Sequence, residues 1–89
     1  MNIEFTLQGL EDLDWFVRKD VRHAKRILKL IEDIRRGPFE GLGKPEPLKG
    51  DLSGWWSRRV DTEHRLVYRV VESGGAMRVQ IAQCRFHYS

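Results

Sequence analysis

Trp55–Asp61 (WWSRRVD) and His64–Val71 (HRLVYRVV) decide the fold: two runs rich in aromatic and β-branched residues, separated only by Thr62-Glu63. That composition favours strands, and so short a connection joins them antiparallel. His64, Leu66, Tyr68 and Val70 alternate with their neighbours, so this face of the strand should meet a core. Ser73-Gly74-Gly75 marks the next turn, and Met77–Tyr88 (MRVQIAQCRFHY) reads as the last strand. Its alternation blurs after Ala82, as at a bulge or a strand end.

Upstream of this meander lies Gly37–Pro47 (GPFEGLGKPEP), a loop stiffened by Pro38, Pro45 and Pro47. Before it the pattern is helical. Leu7–Arg18 puts Leu10, Leu13 and Val17, with Trp15 and Phe16 nearby, on one side of a first helix. Asp20 is a candidate N-cap for a second helix, whose apolar side carries Val21, Ala24, Leu28 and Ile31, joined by Ile27 and Ile34. That helix should stop at Gly37-Pro38, because proline disfavours helical backbone in the residue before it. Asn2–Thr6 reads as a short strand. The expected fold is α+β: an antiparallel sheet of about four strands with two N-terminal helices on one face, in one domain over residues 1–89. The other face of the sheet is open for a site.

The balance of 16 Lys+Arg against 13 Asp+Glu gives a net charge of +3, and distribution says more than the sum. Arg22, Lys25, Arg26 and Lys29 form a basic helix face, and more cations mix with aromatics in the C-terminal half. Such a surface suits a polyanion, though it also suits plain solvation. One cysteine, Cys84, forms no internal disulfide and reads as a small core residue. The N-terminus lacks a signal-peptide pattern and no run of about 20 apolar residues exists, so a cytoplasmic location without membrane contact is expected. Gly41-Leu42-Gly43-Lys44 is not a phosphate loop, since Pro38 and Pro45 occupy positions that need glycine and Ser/Thr. His23, His64 and His87 show no metal-ligand spacing, and neither metal nor cofactor is expected.

Glu46, Arg65 and His87 could together cleave RNA without a metal. That reaction needs a base for the 2′-OH, an acid for the leaving 5′-oxygen and a cation for the phosphorane. Each residue also has a plainer reading: Glu46 solvated, Arg65 paired within the turn to Asp61 or Glu63, His87 frayed, Tyr88 a surface aromatic, Trp55 and Trp56 packing residues.

Four segments carry a resemblance. They are Arg35–Lys49 (RRGPFEGLGKPEPLK), Leu52–Val60 (LSGWWSRRV), Glu63–Tyr68 (EHRLVY) and Cys84–Tyr88 (CRFHY). Together they resemble the YoeB/Txe toxins of the RelE/ParE superfamily in type II toxin–antitoxin systems. The first 34 residues share only the strand–helix–helix plan. The resemblance implies a RelE-like fold, similar to microbial ribonucleases, and ribosome-dependent cleavage of mRNA at the A site, inhibiting translation. It implies that Glu46 is the general base, Arg65 stabilises the phosphate and His87 is the general acid, with Tyr88 shaping the substrate. The products would be a 2′,3′-cyclic phosphate and a 5′-OH. Lys49, Arg59 and Arg58 would contact RNA phosphate and Glu63 would support them, while Arg22, Lys25, Arg26 and Lys29 would face the ribosome and its 16S rRNA. The implied partners are a YefM/Axe-like antitoxin, the ribosome and mRNA; homodimers occur in the family. Gly50 stands where a histidine can occur, Phe86 replaces a tyrosine, and Ser89 extends past the usual terminal residue. Two other readings stay open: a ParE-like gyrase-inhibiting toxin, and a non-catalytic RNA-binding module using the basic helix with Trp55 and Trp56.

Overall fold

The computed structural model describes residues 1–87. Its order is β1 (Asn2–Phe5), α1 (Leu7–Lys19), α2 (Val21–Arg36), β2 (Glu46–Pro47), β3 (Trp56–Arg59), β4 (Arg65–Ser73) and β5 (Ala76–Gln83). Among the described residues the strands form one sheet, ordered β1-β5-β4-β3-β2. The expected helices and meander are present. The sheet is mixed and five-stranded, however, rather than antiparallel with about four strands. β1 adds to β5 in parallel, from Asn2 opposite Arg78 to Phe5 opposite Ile81. Two residues of the proline-bounded loop, Glu46 and Pro47, pair with β3 as an edge strand.

Local chemistry sets the boundaries. The Thr6 hydroxyl caps α1 by accepting from Gly9 N–H (3.0 Å), and Asp20 caps α2 by accepting from His23 N–H (3.3 Å). α2 ends at Arg36, before Gly37-Pro38. The β4–β5 turn places Gly74 and Gly75 at φ 59° and 78°, the left-handed pair that a two-residue hairpin requires. The β4–β5 register slips between Val67 and Tyr68, which face Gln83 and Ile81 and leave Ala82 as the extra residue. This is the irregularity that the blurred alternation announced.

The core lies between the helices and one face of the sheet. It joins Phe16, Ala24, Ile27, Leu30, Ile31 and Ile34 to Val60, Leu66, Tyr68, Val79, Ile81 and Cys84. His64, Leu66 and Tyr68 share the inward face of their segment, as alternation predicts. The helix faces differ from expectation. Leu10, Val17, Val21 and Leu28 are each more than half exposed, and α1 instead buries Gly9, Asp12 and Phe16. A β-carbon at Gly9 would lie 2.6 Å from the Ile81 carbonyl oxygen, so this helix rests on β5 through a glycine. Asp12 accepts the Cys84 N–H (3.0 Å) and is buried as a tie between helix and tail. A hydrophobic-period reading assigns such polar and small contacts to the wrong face.

Candidate functional site

β3 sends adjacent arginines to opposite faces of the sheet. Arg58 points inward, fully buried, and all five of its N–H donors are engaged. Nε meets the Tyr68 hydroxyl (3.2 Å). Nη1 donates to Asp33 Oδ2 (2.5 Å) and Leu42 O (3.0 Å), and Nη2 to Gly37 O and Glu40 O (both 2.8 Å). The Leu42 N–H and then Arg58 hold the Asp33 carboxyl below its ordinary range. The expectation that Arg58 contacts RNA phosphate is therefore corrected: it folds the 37–42 loop from beneath. Tyr68 completes the knot by donating to Pro38 O (2.5 Å).

That loop leads into Glu46. Arg59 N–H donates to Gly43 O (2.7 Å) and Leu48 N–H to Trp55 O (2.9 Å), fastening the segment along β3. Glu46 pairs with Ser57, and Ser57 with Val67, so Glu46 belongs to the open face. Arg59 lies two residues along from Ser57 and directly opposite Arg65. Neighbouring strands lie about 5 Å apart and same-face rows about 7 Å apart. Glu46 and the two arginines therefore occupy adjacent rows of one surface, within reach of long side chains. Like charges directly across a strand pair repel, and a bound anion would relieve that repulsion.

Arg65 is half-buried, and Nη1 donates to Asp61 O (2.7 Å) and His64 O (3.2 Å). The Asp61 carboxylate in turn accepts from Glu63 N–H (2.8 Å), His64 N–H (2.6 Å) and the His23 ring (2.7 Å). Burial would raise the Asp61 carboxyl, yet the His64 N–H, His23 and the Glu63 N–H outweigh it and lower it. Arg65 thus pairs with the carbonyls of its own turn, and Asp61 organises that turn and ties it to α2 through His23.

The C-terminal segment is tied down. Beyond the Asp12–Cys84 bond, the Arg85 guanidinium lies 3.5 Å from the Trp15 ring centroid and 4.4 Å from that of Phe86. Phe86 takes a left-handed φ of 65°; its N–H donates to His64 Nδ1 (2.7 Å) and its carbonyl accepts from Arg65 N–H (3.1 Å). His87 follows directly, exposed, beside a hollow bordered by Gln8, Gln83 and Arg85. Glu46 on β2 therefore lies one row from Arg59 and Arg65, and the residue before His87 is tied to the Arg65 N–H. Cys84 is inert packing: burial, with Asp12 adding, pushes its thiol up to about 12. Lys49 and Glu63 are exposed at the site's margin. Tyr88 lies outside the described residues.

The profile of the YoeB-like toxin of bacterial type II toxin–antitoxin systems matches residues 5–88. The chain belongs to this family of toxins. It is 52% identical over 88 residues to toxin YoeB of Streptomyces coelicolor, covering 99% of this chain and 100% of that one. The YoeB/ParE toxin structure from Agrobacterium tumefaciens is 51% identical, with a TM-score of 0.93 over 99% of this chain and 100% of that one. YoeB of Staphylococcus aureus, solved in a YoeB–YefM complex, is 42% identical with a TM-score of 0.84, covering 99% and 98%.

Two residues of the β3–β4 turn were not singled out from sequence. Asp61 and His64 act through backbone contacts that strand alternation does not reveal. Alternation does, however, turn His64 inward, which was the available signal. On the helices, Arg22, Lys25 and Lys29 are exposed, whereas Arg26 is half-buried and donates to Arg59 O (3.3 Å).

Proposed function

We propose that this toxin is a cytoplasmic, ribosome-dependent endoribonuclease that cuts mRNA in the A site. The reading rests chiefly on one observation: the Glu46 carboxylate shares one face of the sheet with Arg59 and Arg65, and the residue before His87 is tied to His64 and the Arg65 N–H. Glu46 takes the 2′-OH proton, and the oxygen attacks the adjacent phosphorus. Arg65, with Arg59, stabilises the phosphorane charge, because a guanidinium fork matches phosphate oxygens. His87 protonates the departing 5′-oxygen. A 2′,3′-cyclic phosphate and a 5′-OH result, so atoms and charge balance without a metal. Lys49 and Glu63 border this chemistry, and Tyr88 has the role of shaping the substrate that the resemblance implies. The exposed cations of α2 suit rRNA phosphate. A YefM-like antitoxin fits as the partner, as in the complex of the Staphylococcus aureus relative.

A ParE-like or purely RNA-binding role would have no use for a carboxylate base beside the two arginines. The rate of cleavage is expected to be bell-shaped in pH, as a reaction that needs one base and one acid requires. Glu46→Ala should reduce cleavage about 10²–10⁴-fold with ribosome binding retained. Unchanged cleavage in that variant, or gyrase inhibition by a protein that leaves ribosomal mRNA intact, would overturn the proposal.

A further inference from the structure

We propose that His64 is a positioning residue for the general acid: its ring nitrogen holds the peptide that delivers His87 to the scissile bond. This rests on the acid role given to His87 above.

His64 is 9% exposed and has its ring packed against Phe16 (centroids 5.0 Å, edge-on), Phe86 (5.8 Å) and His23 (6.1 Å). Nδ1 accepts the Phe86 N–H at 2.7 Å, so that nitrogen carries a lone pair and the proton sits on Nε2, which faces Glu63 Oε1 at 3.3 Å. The Phe86 carbonyl is taken by the N–H of Arg65, the residue after His64. Both backbone polar groups of Phe86, one from the peptide before it and one from the peptide that leads to His87, are thus gripped by two consecutive residues at the start of β4. Phe86 also holds a left-handed φ of 65°, an uncommon conformation for an aromatic residue that its surroundings must maintain. The tail has left β5 at Gln83, so strand pairing does not set the direction of His87. The His64 bond does. It also fixes His87 relative to Arg65, because both are read from the same two residues.

Holding a reacting group to within an ångström or so governs rate more than binding, and such a misplacement can cost about 10²-fold. Leucine at position 64 keeps bulk and removes the acceptor. Asparagine carries an acceptor oxygen at the same number of bonds from the main chain as Nδ1.

The test uses the purified full chain on programmed ribosomes, comparing parent, His64→Leu, His64→Asn and His87→Ala for kcat, KM and melting temperature. The expected result is a kcat loss of about 10²-fold in His64→Leu with KM little changed, most of it recovered in His64→Asn. Full activity in His64→Leu while His87→Ala is inactive would overturn the positioning role alone. Full activity in His87→Ala would overturn the acid assignment, and the catalytic part of this proposal with it. Should His64→Leu unfold, the parent decides the matter by NMR. A scalar coupling between the Phe86 amide nitrogen and His64 Nδ1 is expected, and its absence would contradict the bond on which the inference stands.

Discussion

Arg58 and Arg59 are neighbours in the chain and belong to different regions of the molecule. Arg58 faces the helices, without solvent exposure, and ties Asp33, Tyr68 and three loop carbonyls into one knot. Arg59 faces the open side, opposite Arg65 and one row from Glu46. The same charge thus builds the fold on one face and is available to a phosphate on the other. Total charge cannot separate the two roles; the pleat of β3 does. The regions are also connected, since the loop that Arg58 holds is the one that presents Glu46.

Removing one arginine at a time separates the two roles. Arg58→Met should destabilise the fold by about 3–5 kcal/mol, because Asp33 and the loop carbonyls lose a buried partner. Chemical denaturation would measure it, and a change below about 1 kcal/mol would contradict the knot. Arg59→Met should leave stability within about 0.5 kcal/mol. Its effect should appear instead as slower cleavage with an unchanged unfolding midpoint. A variant that unfolds early but cuts at the parent rate would reverse the assignment.

A smaller effect concerns acid. The Asp33 carboxyl is held low by Leu42 N–H and Arg58, so its folded value lies below its unfolded one. Its stabilising contribution is therefore complete at neutral pH, begins to fade near the ordinary carboxylate value of about 4 and is lost as pH falls through the lowered one. Asp33→Asn should lower stability at neutral pH and flatten the acid side of a melting-temperature profile. An acid side as steep as the parent's would mean that other carboxylates govern it. The smallest effect belongs to α2. Neutralising Lys25 or Lys29 should lessen the salt dependence of ribosome binding by up to about one unit of logarithmic slope per phosphate contact. An unchanged slope would place the ribosome elsewhere.

Much of this was legible in the sequence. The β4 alternation, the Gly74-Gly75 hairpin, the Asp20 cap and the stop before Pro38 are local, and each formed as its residues dictate. Parallel pairing of Asn2–Phe5 with β5 was not legible, because it joins residues more than seventy positions apart and leaves no local pattern. The faces of α1 misled because Gly9 and Asp12, neither of them apolar, make its closest tertiary contacts. Glu46, Arg65 and His87 could be named from their chemistry and from resemblance. The placing of Glu46 and Arg65 beside Arg59 needed the register, and the burial of Arg58 needed the pleat's direction. Sequence left the His87 segment open to fraying, whereas Asp12, Trp15 and His64 hold the residues leading to it.

The open face of the sheet should cut RNA and the helix face should not. The most direct measurement maps mRNA ends on programmed ribosomes treated with the parent, Glu46→Ala and His87→Ala. Cuts within the A-site codon that bear a 2′,3′-cyclic phosphate, and that disappear in both variants, are the predicted result. Cuts that persist in either variant, or no cut by the folded parent, would contradict it.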